Sequence, residues 1–106
     1  MNIECREEII ELLHRTSDLP PLQRILVLAY AAADQDDTGT VLETGIKIAE
    51  DIGMSAQLFS RVRRELISSG WLEEDAPSRI GNVRYYRLTE KATGDEPSNV
   101  IALRSA

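Results

Sequence analysis

Between Ser55 and Ser69, the hydrogen-bonding side chains of Gln57 and Ser60 and the arginines Arg61, Arg63 and Arg64 are interleaved with Phe59, Val62 and Leu66, which fall at i, i+3 and i+7. That spacing predicts a helix with one apolar face. If Phe59, Val62 and Leu66 turn to a core, then Ala56, Gln57, Ser60, Arg61 and Arg64 share the opposite, solvent-facing side. Arginine bridges guanine and glutamine bridges adenine by paired hydrogen bonds, so Arg61 and Gln57 are candidates for contact with base edges. Arg64 suits a phosphate, as does Ser55 at the helix N-terminus. Further along, Arg79, Asn82 and Arg84 lie in and beside a loop and could reach backbone phosphates or an adjacent minor groove.

No competing chemistry can be assembled from the remaining residues. Cys5 is the single cysteine and His14 the single histidine, so neither a disulfide nor a zinc set is available. The acidic run Asp34-Gln35-Asp36-Asp37-Thr38-Gly39 has the look of a calcium loop, but its twelfth position is Gly45 where a bidentate Glu is needed. No nucleophile with its base and no carboxylate pair stands out, so neither enzyme activity nor a metal or cofactor is expected. The acidic N-terminus is unlike a secretory signal and no apolar run is long enough to span a bilayer, which predicts a cytoplasmic protein without a membrane partner.

Charge argues against simple polyanion binding, since the formal net charge is −6. It is distributed unevenly. Residues 1–54 carry four basic residues against eleven acids, whereas residues 55–87 carry six arginines against four acids. A partner senses the local field, and the arginine-bearing helix lies in the basic part.

The elements that must position this helix follow from pattern. With 106 residues, 42% hydrophobic and 28% charged, the chain supports one globular domain. Cys5, Ile9, Leu12 and Leu13 predict an amphipathic helix from Ile3 to about Thr16, broken by Ser17-Asp18-Leu19-Pro20-Pro21. Pro21 opens a second helix to about Ala33, apolar around most of its circumference and therefore expected to be buried on more than one side. Thr40-Val41-Leu42 reads as a very short strand. Thr44 caps a third helix that stops at Gly53, Ser55 caps the fourth, and Gly70 closes it. Small Ala49 suits a close helix crossing, and Gly53 suits the tight turn between the two helices. The runs Trp71–Asp75 and Val83–Thr89 predict a hairpin around the loop Ala76–Asn82, with Trp71 as a core anchor and one of Tyr85 and Tyr86 inward, the other exposed. Beyond Thr89 the composition predicts a mobile tail, unless Val100, Ile101 and Leu103 dock.

The stretch Ile48-Ala49-Glu50-Asp51-Ile52-Gly53-Met54-Ser55, followed by Val62-Arg63-Arg64-Glu65-Leu66 and Gly70-Trp71-Leu72, resembles the bacterial helix-turn-helix pattern. Arg84-Tyr85-Tyr86-Arg87-Leu88-Thr89-Glu90-Lys91 resembles the end of the wing in MarR-type and PadR-type regulators. Two positions depart from the pattern: Arg63 stands where an aliphatic residue is common, and Leu58, where a polar one is common, could mark a protein contact. The resemblance implies a mostly α fold with a small β-hairpin, a winged helix-turn-helix over residues 19–89. It is preceded by an N-terminal helix (1–18) and followed by a flexible tail (90–106). It also implies a sequence-specific regulator binding double-stranded DNA as a homodimer, through a recognition helix 55–69 and a wing 76–84. The first helix is then either the dimer element or a cover over the second. Two alternatives stand beside this reading: a winged-helix module that binds a protein partner, and an accessory domain of a plasmid or phage replication or partition system.

Overall fold

The computed structural model describes residues 5–75, 81 and 83–94. Four helices come first: α1 (Arg6–Arg15), α2 (Pro21–Ala32), α3 (Gly45–Asp51) and α4 (Ala56–Ser68). The strands β1 (Leu72–Glu74) and β2 (Tyr86–Leu88) then pair antiparallel, Leu72 opposite Leu88 and Glu74 opposite Tyr86, and a single turn of helix, α5 (Glu90–Thr93), ends the described chain. This is a mostly helical α+β winged helix with an additional helix at its N-terminus.

The core forms where the apolar faces of these elements converge. Leu12 of α1, Leu26, Val27 and Tyr30 of α2, Ile48 of α3, Phe59, Val62 and Leu66 of α4, and Leu72 and Leu88 of the strands are all buried. Burying each of the larger side chains contributes about 1.5–3 kcal/mol relative to leaving it in water. The rings of Tyr30 and Phe59 stack with centroids 6.3 Å apart and join α2 to α4 at the centre.

Polar contacts set how the outer helices sit. Arg24 of α2 donates from Nη2 to the Leu13 carbonyl at 2.9 Å and from Nε to Thr16 Oγ1 at 3.2 Å, placing its charge on the negative C-terminal end of α1. With Leu12 and Thr16 fully buried, α1 covers α2. Ile9 and Ile10 nevertheless stay 38% and 39% exposed, as do Leu22 and Ile25 of α2 at 38% and 43%. As expected, α2 is packed on more than one side, against α1, α4 and β2, but not around its whole circumference. Its buried residues are Leu26, Val27, Tyr30 and Ala31, and the side carrying Leu22 and Ile25 has no cover among the described residues. An apolar circumference measures the tendency to be covered, not the presence of a neighbour.

Thr40 and Val41 do form a short extended segment, and it joins the sheet. Thr40 bridges Arg87, and the Val41 amide donates to the Tyr86 carbonyl at 2.8 Å. The acidic run before it is a tight turn organised by Asp36, whose Oδ1 accepts from Thr38 N at 2.9 Å, Thr38 Oγ1 at 2.7 Å and Thr40 N at 3.0 Å. Thr40 Oγ1 donates to the buried carboxylate of Asp75 at 2.7 Å, which fixes the turn to the end of β1.

Three expectations change. Leu58, which could mark a protein contact, is partly buried and packs against the core instead of standing clear of it. One tyrosine is inward as expected, and it is Tyr86, but Tyr85 is half-buried rather than exposed. The tail does not begin at Glu90, because Glu90–Thr93 is helical with Ala92 fully buried. One turn is too short to show a period, and the Gly, Pro and Ser content that follows concealed it.

Candidate nucleic-acid interface

The turn between α3 and α4 orients the candidate face. Thr44 Oγ1 accepts from the Lys47 amide at 3.3 Å and Ser55 Oγ from the Leu58 amide at 3.2 Å, so both helices start on side-chain caps. Gly53 sits between them with φ 72°, a left-handed conformation that L side chains avoid, and Ala49 is buried where the helices meet. With Phe59, Val62 and Leu66 inward, α4 presents Ala56, Gln57, Arg61 and Arg64 to solvent and holds Ser60 half-buried at the edge of that face. Ser55 is exposed beside them, and its capped hydroxyl still has a hydrogen to donate.

Several cations outside α4 are held by carboxylates. Lys47 is held by Asp51 at 2.7 Å, an exposed pair whose hydrogen bond raises the Lys47 pKa. Arg15 pairs with Glu11, and Arg87 with Glu73 at 2.7 Å and Asp75 at 3.7 Å. On α4 none of Arg61, Arg63 and Arg64 has a carboxylate partner among the described residues. Glu65, the acid on the same helix, instead accepts a hydrogen bond from Gln23 of α2 at 3.1 Å.

On the wing, Arg84 is exposed and makes a long contact of 4.0 Å with Glu74. Arg79 and Asn82 lie outside the described residues. The structure thus brings Ser55, Ala56, Gln57, Ser60, Arg61 and Arg64 onto one helix and its cap. Arg84 joins that surface across a cleft of about 680 Å³ lined by α4, α3 and Gly81, Val83, Arg84 and Tyr86.

Sequence reasoning passed over Arg63 as a departure from pattern. It is half-buried in that cleft, its guanidinium carbon 5.3 Å from the Phe59 ring centroid and 4.7 Å from that of Tyr86. An available signal was the i, i+4 spacing from Phe59 to Arg63, which places a cation over a ring on the same helix face. Gly45 was a second, since a Cβ there would stand 2.7 Å from Arg63 Nη1. Burial raises the pKa of the nearby Tyr30 hydroxyl, and Arg63 opposes that rise.

Among the described residues no group of His, Cys, Asp and Glu could hold a metal ion, and no helix is long and apolar enough to cross a membrane.

No family model and no curated protein matches the chain. Among solved structures, a mutant of ZitR from Lactococcus lactis in its apo form is similar. It shares 20% sequence identity with a TM-score of 0.50 over 93% of this chain and 69% of that one. A likeness at that identity concerns the fold.

Proposed function

We propose that the protein is a sequence-specific DNA-binding regulator acting as a homodimer, with α4 as its recognition helix. In this reading Gln57 and Arg61 meet base edges and Ala56 packs against them. Ser55, Ser60 and Arg64 hold phosphates, and Arg79, Asn82 and Arg84 work from the wing. The observation that carries it is the exposed face of α4, where Arg61 and Arg64 have no carboxylate partner among the described residues of a chain with eighteen acids. Without a carboxylate on them, the two guanidiniums keep their charge and donors for an anionic partner.

Homodimerisation is supported by the aliphatic side chains that α1 and α2 leave in water, Ile9, Ile10, Leu22 and Ile25. One helix reads only a few base pairs, and a two-fold dimer doubles the site.

Titration of a labelled random duplex at two salt concentrations tests the reading. Binding should fall steeply with salt and weaken in Arg61→Ala and Arg64→Ala. Absence of binding even at low salt would favour a protein-interaction module instead, a reading supported by the acidic total and by Ile46, which is 71% exposed on α3.

A further inference from the structure

Arg63 combines features that a solvated surface arginine lacks. Its guanidinium is stacked against one ring from its own helix and one from β2, and it abuts the backbone of Gly45 at the start of α3. Aromatic rings engage the faces of a guanidinium rather than its in-plane N–H groups; one of these is directed to the Tyr30 hydroxyl, and the others remain for a further acceptor. No carboxylate takes them among the described residues. The cleft beside it is walled by Ile46, Ala56 and Val83 and has Ser60 and Arg84 among its lining residues. An anion entering there would meet a fixed charge in a setting that excludes water on several sides, where attraction is stronger and less screened than at Arg61 or Arg64.

DNA geometry supplies the occupant. A helix in the major groove and a wing in the adjacent minor groove are separated by one sugar–phosphate strand, and that strand must cross the space between α4 and the wing. We propose that the cleft seats one backbone phosphate of bound DNA. Arg63 supplies the charge from within, and Ser60 and Arg84 close on the phosphate from the sides. This rests on the DNA-binding reading and adds a contact that the exposed face of α4 does not contain. The planar fork of arginine matches the two non-bridging oxygens of a phosphodiester, so Arg63 acts by paired hydrogen bonds as well as by charge.

The experiment uses the full chain and a duplex selected for binding. Wild type, Arg63→Met and Arg63→Lys are titrated across salt, with thermal unfolding to confirm that each is folded. The Met variant keeps an apolar stem between the rings. It should bind at least about tenfold more weakly at low salt and lower the salt slope by about one. The Lys variant should keep the slope while losing affinity, because it retains the charge without the fork.

Replacing single phosphates by neutral methylphosphonates separates contact from bracing. At one position wild type should lose affinity and Arg63→Met should lose no more. Gly45→Ala, whose Cβ would displace the guanidinium without removing it, should lose the same coupling and serves if the Met variant unfolds. A variant with wild-type slope and affinity, or losses that add at every phosphate, overturns the seat while leaving the DNA reading standing. If wild type binds no duplex at any salt, both readings fall.

Discussion

Replacing Gly53 by alanine isolates one physical term, because a Cβ built there meets nothing within 4 Å. The effect therefore comes from the backbone. At φ 72° an L residue is in the left-handed region, at a cost of about 1–2 kcal/mol. Alanine also restricts the unfolded chain, which offsets about 0.4–1 kcal/mol of this. The expected net destabilisation is about 1 kcal/mol, or roughly 4–8 °C in Tm for a domain near this size. Urea unfolding followed by the fluorescence of half-buried Trp71 measures it, and the m-value should not change, since nothing exposed on unfolding differs. Gly53→Asn should lose less, because asparagine tolerates this conformation better. An alanine variant as stable as wild type would refute the argument. It would mean that the turn between α3 and α4 reaches its angle without a left-handed residue.

Thr40→Val removes the hydroxyl that donates to buried Asp75 and should cost about 1–3 kcal/mol in urea unfolding, since the carboxylate keeps its burial but loses a donor. Asp36, whose pKa is lowered first by the Thr38 hydroxyl and then by the Thr38 and Thr40 amides, has a folded pKa below its unfolded one. Its contribution is complete above the unfolded value and is lost as pH falls through the folded value. The fall in stability below about pH 4 should therefore be shallower in Asp36→Asn. Leu12→Ala should destabilise by about 2–5 kcal/mol by leaving a cavity under α1. By contrast Ile10→Asp should leave melting nearly unchanged and yield monomers in analytical ultracentrifugation; a folded dimer from that variant would remove α1 from the interface.

Legibility along the chain tracked the range of the forces involved. Caps at Thr44 and Ser55, the turn at Gly53 and the periodic face of α4 are local, so their residues announced them within four or five positions. Contacts made across the chain left weaker traces. Nothing near Asp75 signals that its partner is Thr40, thirty-five residues earlier, and a leucine at 58 carries no mark that it packs inward rather than outward. The exposed side of α2 at Leu22 and Ile25 is of the same kind, because composition states what a surface would prefer and only topology supplies the neighbour. The first helix starts at Arg6 after an extended Cys5 rather than at Ile3, and Arg79 and Asn82 fall outside the described residues, so two of the three wing candidates stand as read from sequence.

The acidic total and a DNA-facing helix are compatible because charge acts over about 10 Å at ordinary salt rather than over a whole molecule. The described cations away from α4 are largely committed: Arg24 to carbonyl and hydroxyl oxygens at the end of α1, Lys47 to Asp51, Arg87 to Glu73 and Asp75, and Lys91 to the Ser69 carbonyl. Lys47 and Arg87 are offset by the carboxylates they hold, whereas Arg24 and Lys91, bound to uncharged oxygens, keep their charge where they sit. What a phosphate would meet at the α4 surface is Arg61, Arg63 and Arg64 without carboxylate partners among the described residues, two exposed and one half-buried on one helix. On the proposed DNA-binding reading, a surplus that small would bind weakly as a single copy. Selectivity would then come from doubling the contact through the aliphatic surface of α1 and α2, and the acidic remainder would hold down binding wherever only one copy can engage.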